Sequence, residues 1–303
     1  MTHSIQNQHI AITVDEQGAE LRSLRRLSDN VETLWQADPT YWDGQSPVLF
    51  PSVGSCRNAT AWFDGHPYPM PKHGLVRDMK FQLSEKTADT IVLSVSDTEE
   101  TRKHFPFPFH FTVRFHIEGN KLDIDFGVRN DGDRMMPFHL GAHPAFSLPG
   151  FQEDDEVHGY LSFGEQRELV SNGLKPGGLL WPEGAFTVPL DEEGRLPLTN
   201  QTFACDTLLD SRGKLSVCTL SDTEREPAVT VRFRSPILAL WAPCGGKAPF
   251  VCIEPWWGCC DLYNYEGEFA QRRFTNLLAA HAHETLSYSI EIHEQKGPRT
   301  QVL

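Results

Sequence analysis

Short runs in which apolar and polar residues alternate dominate the chain. Ile91–Val95, Phe109–Ile117, Lys121–Val128, Val229–Phe233 and Leu286–Ile292 each show period-two alternation or β-branched enrichment, as expected of strands. Phe111–Ile117, the turn Glu118-Gly119-Asn120 and Lys121–Phe126 together predict a β-hairpin. No amphipathic helical pattern exceeds about two or three turns, and 21 prolines and 23 glycines are spread through the connections. The expected fold class is therefore all-β, with mainly antiparallel sheets packed face to face. The most polar stretch, Gln152–Glu156, is too short for a linker and reads as a loop tip. Ser171-Asn172-Gly173 and Pro176-Gly177-Gly178 mark turns in a loop-rich section before Phe203. With no internal repeat, one large domain over residues 1–303 is expected.

Composition narrows the function classes. Hydrophobic residues make up 39 % and charged residues 22 %, far from the depletion that marks disorder, so the chain is expected to fold. Its 41 acidic and 27 basic residues give a net charge of −14, which repels phosphate backbones and anionic lipid; neither nucleic acid nor membrane is an expected partner. Met1–Ile12 carries Gln6, Asn7 and Gln8 where a secretory peptide would be apolar. No apolar run approaches the roughly 18–20 residues of a membrane span, and a cytoplasmic protein is expected. Seven cysteines in a long chain do not form a disulfide framework. Cys252, Cys259 and Cys260 lack the closely spaced ligand pairs of structural zinc, so no metal is expected there.

Four segments place polar residues in apolar or Gly/Pro-rich surroundings. In Pro51-Ser52-Val53-Gly54-Ser55-Cys56-Arg57-Asn58 a bend aims Arg57 and Asn58 either into a cleft or to solvent. In Pro71-Lys72-His73-Gly74 the glycine lets the backbone approach closely beside His73. His139 and His143 are four apart in Phe138–Phe146; Gly141 and Pro144 argue against a helix, and on a strand both would share a face. Glu254 follows the apolar run Phe250–Ile253 and precedes Trp256 and Trp257, so it is expected at a partly desolvated strand end. Either tryptophan could stack on a sugar or fill the core. Asp206 is a similar acidic interruption in Phe203–Leu209, with a surface turn as the plainer reading.

In this order, GSCRN, PKHGLVRD, HLGAHPAFSLPG, FACDTLLD and APFVCIEPWWG resemble the aldose 1-epimerase family, most closely its galactose mutarotase-related branch, from about Ile10 to Ile292. The resemblance implies a galactose mutarotase-like β-supersandwich. It also implies that His143 is the general acid, Glu254 the general base, and His73 a second active-site histidine, with Asp206 and Arg57 holding substrate hydroxyls. GSCRN departs from the NR-like or GR-like surroundings of the family arginine. His139 matches no fixed role and is expected to support the site or the core.

The implied reaction interconverts α and β anomers of a hexose by opening and reclosing the ring. A Glu254 carboxylate and a His143 imidazolium would supply base and acid, with a small-molecule sugar as partner and no cofactor. The absence of GxGxxG, P-loop and HExxH patterns agrees with that chemistry. A sugar-phosphate mutarotase would keep the same pair and add basic residues at the rim, such as Lys72 and Arg77. A non-catalytic sugar sensor would not need the pair, and a glycoside hydrolase would use two opposed carboxylates, here Asp206 and Glu254. The sequence leaves the preferred sugar and the oligomeric state open.

Overall fold

The computed structural model describes residues 1–243 and 248–295. The domain expected over 1–303 also takes in residues 244–247 and 296–303, which lie outside the described residues. All five strands expected from the alternation form. Phe109–Glu118 and Lys121–Asn130 pair antiparallel from Phe109↔Asn130 to Glu118↔Lys121, so the connecting loop is Gly119-Asn120, one residue shorter than expected. Gly119 takes a φ of 57°, which glycine adopts without steric cost. Every second residue from Phe109 to Ile117 is buried, as the alternation requires.

This hairpin lies inside a nine-stranded antiparallel sheet that runs from Arg195–Pro197 at one edge to Gln82–Lys86 at the other. A second sheet orders Leu208–Asp210, Ile237–Trp241, Phe250–Trp257, Leu140–Ala142 and Val48–Leu49, with Ala145–Ser147 also pairing to Phe250–Trp257. The two sheets share one core. Phe50 stacks on Phe111 of the large sheet with ring centroids 4.8 Å apart, and also meets Phe109, Phe105 and Phe138. Each fully buried phenylalanine contributes about 1.5–3 kcal/mol of transfer free energy. Away from this core, the second sheet carries a smaller apolar cluster that includes Leu49, Val53, Leu209, Ala239 and Trp256. Phe250–Trp257 is therefore covered on both faces, and all eight of its residues are buried.

Two further details differ from expectation. Ser171-Asn172-Gly173 is not a turn: it lies within the strand Leu169–Lys175, where the pairing with Leu179–Val188 shifts register between Ser171 and Gly173. A β-bulge uses the same small and polar residues as a turn, so the two look alike in sequence. Pro176-Gly177-Gly178 does form the connection of this hairpin. Glu254 sits in the middle of its strand rather than at its end, because pairing with Ile237–Trp241 continues through Pro255 and Trp256.

A buried ion pair joins the loops beside the second sheet. Arg272 Nε lies 2.5 Å from Asp261 Oδ1, both side chains almost inaccessible, and Arg272 also donates to the Cys259 carbonyl and to Ser52 Oγ. Asp261 Oδ2 accepts the Arg57 backbone N–H at 2.7 Å, so the pair fixes residues 52–57 against 259–261. Removing one partner leaves an uncompensated buried charge. Arg272→Met is expected to lower stability by about 3–5 kcal/mol. Urea unfolding followed by tryptophan fluorescence checks this, and a loss below about 1 kcal/mol would show that the pair does not clamp these loops.

Candidate active site

The pairs Gly141↔Trp256 and Ala145↔Cys252 belong to one antiparallel register, and continuing it between them sets His143 opposite Glu254. The Pro144 carbonyl accepts the Ile253 N–H at 3.1 Å, so the ladder holds there although proline donates nothing. Directly opposed residues on one face bring their side chains together. His143 Nε2 lies 3.3 Å from Glu254 Oε2, and the same oxygen accepts the Trp256 indole N–H at 3.2 Å. Gly141 makes room for this indole: a Cβ there would meet the Trp256 ring at 2.9 Å.

The pair lies at the base of a cavity of about 300 Å³. His73 and Gly54 form part of its wall. His73 adopts a φ of 69° and Gly74 one of 79°; a Cβ at Gly74 would come within 2.3 Å of the Phe50 carbonyl oxygen, so the close approach expected of this glycine is present. The Gly54 N–H donates to His73 Nδ1 at 3.3 Å, which leaves Nε2 as the protonated nitrogen of the neutral ring. Trp42 and Trp241 wall the cavity beside His143, their ring centroids 5.1 and 5.9 Å from the imidazole. Asp206, with a φ of 74°, sits exposed at the rim and accepts the Thr207 N–H. Lys72 and Arg77 also line the cavity, and no ion pair joins either to another described residue.

Burial sets the protonation of the pair. Desolvation pushes Glu254 well above the usual carboxylate range, against the Trp256 hydrogen bond and the charge of Lys72. Desolvation also lowers His143 to about 3, and the Lys72 and Arg77 charges add to that shift. His73 falls well below its ordinary value through desolvation first, then repulsion from His143, Lys72 and Arg77. The favoured form of the pair is thus uncharged, with the proton on Glu254 and a neutral His143. Burial therefore works against the carboxylate and imidazolium expected from sequence, because the register buries both groups more deeply than a strand end would.

Of the residues singled out in sequence, His73, His143, Asp206 and Glu254 line this cavity and Arg57 does not. Arg57 lines a separate cavity of about 570 Å³ with Trp62 and Gln271, where its guanidinium donates to Glu266 and to the Tyr265 carbonyl. Arg57, expected to hold substrate hydroxyls, thus lines a different cavity from His143 and Glu254, and its backbone N–H is held by Asp261. His139 falls at the break between Met136–Phe138 and Leu140–Ala142, which pair with different strands, so its spacing from His143 does not bring it to the site. It is fully buried against Phe269 and bonded to Thr275 Oγ1. Trp256 faces the cavity while Trp257 lies in the main core. Trp42 and Trp241 were missed. Their one signal is a large aromatic just before a turn, as in Trp42-Asp43-Gly44, or at the end of an apolar strand.

A family model described as aldose 1-epimerase matches residues 1–261. Protein LacX of Lactococcus lactis subsp. lactis, in its chromosomal and plasmid forms, is 31 % identical over 267 residues, covering 85 % of this chain and 88 % of LacX. A crystal structure of a galactose mutarotase related enzyme from Lactobacillus acidophilus superposes with a TM-score of 0.92 at 29 % identity, covering 98 % of this chain and 99 % of that one. A galactose mutarotase-like protein from Lactobacillus casei gives 0.90 at 29 % identity, covering 97 % and 100 %.

The histidine environment is directly measurable. In a pH titration by NMR, the His143 and His73 rings should stay neutral through histidine's ordinary value of 6.5, with His143 taking up a proton only near pH 3. A midpoint near 6.5 for either ring would mean that water reaches the base of the cavity.

Proposed function

The chain belongs to the aldose 1-epimerase family, and from that membership we propose that it is a mutarotase that interconverts the α and β anomers of a hexose. The observation that carries this reading is the 3.3 Å separation of His143 and Glu254 at the base of a walled cavity. Mutarotation requires one group to take the anomeric hydroxyl proton and another to protonate the ring oxygen. Both oxygens are bonded to C1, so an acid and a base a few ångströms apart can serve both.

Glu254 acts as base and His143 as acid. The pair carries one mobile proton, and moving it from Glu254 to His143 gives the productive form. Sugar hydroxyls that donate to the carboxylate favour this transfer, as does the Trp256 N–H. As the bond from C1 to the ring oxygen breaks, Glu254 takes the anomeric proton and His143 releases its own. Rotation about C1–C2 and closure with the transfers reversed yields the other anomer. Neutral His73 donates from Nε2 to a substrate oxygen, and Asp206 accepts a hydrogen bond from a sugar hydroxyl at the rim. Trp42, Trp241 and Trp256 present apolar walls to the sugar's C–H face.

Glu254→Gln keeps the shape and removes the base, so kcat should fall by about 10²–10⁴ with KM little changed. His143→Asn should lose activity similarly, and Arg57→Ala, altered only in the other cavity, should stay within about threefold. Polarimetry on freshly dissolved anomers of glucose and galactose measures all three, and near-normal kcat in a folded Glu254→Gln protein would refute the mechanism.

One observation favours a second substrate reading. Lys72 and Arg77 line the cavity with no ion pair to another described residue, in a chain of net charge −14, as a sugar-phosphate mutarotase would require. On that reading the double variant Lys72→Ala/Arg77→Ala loses about tenfold or more in kcat/KM on glucose 6-phosphate, the ~1.4 kcal/mol available from two exposed ion contacts. Equal losses on glucose and its phosphate would sink this reading and leave the neutral-sugar one standing.

A further inference from the structure

Cys252 takes no part in the chemistry above, yet it lies two residues from Glu254 on the same strand and so on the same face of the sheet. Its sulfur, an imidazole nitrogen of His143 and a carboxylate oxygen of Glu254 all lie within 4.8 Å of one another. The backbone fixes this convergence: Ala145 opposes Cys252, and the same register brings His143 to Glu254. We propose that His143, Cys252 and Glu254 form a binding site for a thiophilic divalent cation of the zinc type, and that an ion bound there blocks turnover by occupying both halves of the acid/base pair.

Tetrahedral zinc, with bonds of about 2.0–2.3 Å, spaces its ligand atoms roughly 3.3–3.8 Å apart. The 3.3 Å between His143 and Glu254 already matches one edge, and the remaining separations, each within 4.8 Å, need to close by at most about 1.5 Å. Imidazole, thiolate and carboxylate together suit zinc better than magnesium or calcium, which prefer all-oxygen sites. The thiolate and carboxylate offset the two positive charges, so the complex is neutral in a buried place where a bare ion would be costly. Binding displaces the thiol proton and the single proton of the His143–Glu254 pair; two protons leave and nothing is oxidised. His143 and Glu254 line the cavity, which gives the ion its entry path and leaves a fourth position for water or a sugar hydroxyl.

The site itself is tested without reference to activity, and only its inhibitory consequence rests on the mutarotase reading. Cobalt(II) titrated into chelator-treated protein should produce a thiolate-to-cobalt charge-transfer band in the near ultraviolet. Zinc should displace it, and Cys252→Ser should lack it. In polarimetry, zinc should inhibit the parent protein and a chelator should restore the rate. Cys252→Ser should keep its untreated rate but need about tenfold or more zinc for the same inhibition; Cys252→Ala replaces it if the hydroxyl prevents folding. An unchanged cobalt band, or unchanged zinc sensitivity, in the folded variant would overturn the site. Stimulation by zinc would overturn both the inhibition and the metal-free mechanism.

Discussion

A carboxyl group in the middle of a strand whose eight residues are all buried is the constraint on which the rest of the structure depends. Leaving an ionised carboxylate there would cost several kcal/mol, so the group must keep its proton or be given donors. The fold does both in part. Trp256, two residues on, donates its indole N–H to the same oxygen that faces His143, and Gly141 gives up a side chain so that the indole can fit. The energy that holds Glu254 in place comes from its neighbours: Ile253 and Val251 pack into the main core from the opposite face of the strand, and Ala239 flanks it across the ladder. Shifting this strand by one residue would expose Glu254's site to the core and place isoleucine in the cavity, so the apolar pattern fixes the register that makes the pair.

Loops complete what the sheet begins. Gly54, His73 and Gly74 form a connected unit in which His73 N donates to the Gly54 carbonyl and Gly54 N donates back to the His73 ring. The Arg272–Asp261 pair secures the neighbouring segment from behind, through the Cys259 carbonyl and the Arg57 N–H. Arg57 consequently belongs to the support of the wall rather than to the cavity.

Much of this was legible in sequence, and the failures have physical reasons. The hairpin around Gly119 reads clearly because one face of each strand is buried and the other is half-exposed, which gives clean alternation. Phe250–Trp257 is buried on both faces, so its apolar run loses periodicity and its end cannot be located; Glu254 was found by its oddity but misplaced along the strand. His143 was identifiable through the residues around it, whereas its pairing with Glu254 is a matter of register between segments more than a hundred residues apart. The strength of the desolvation at the pair was hidden for the same reason, since burial is a property of the assembled sheets. Trp42 and Trp241 gave only a weak local sign, an aromatic before a turn or at a strand end, because an aromatic wall is defined only by the cavity it faces.

On the sugar-phosphate reading, Lys72 and Arg77 would connect recognition with chemistry. Their charges oppose protonation of His143, and Lys72 favours ionisation of Glu254, so together they draw the pair away from the doubly protonated form that lacks a base. Unbalanced cations would overshoot, since the same field also resists placing the proton on His143, where ring opening needs it. An anionic substituent lodged between Lys72 and Arg77 would cancel that field when substrate is bound and only then, allowing the proton to cross to His143. In the sugar-phosphate reading the substrate's own charge therefore helps to set the acid, and a neutral sugar, which must rely on hydroxyl donors to Glu254 alone, is turned over from a less favourable starting balance.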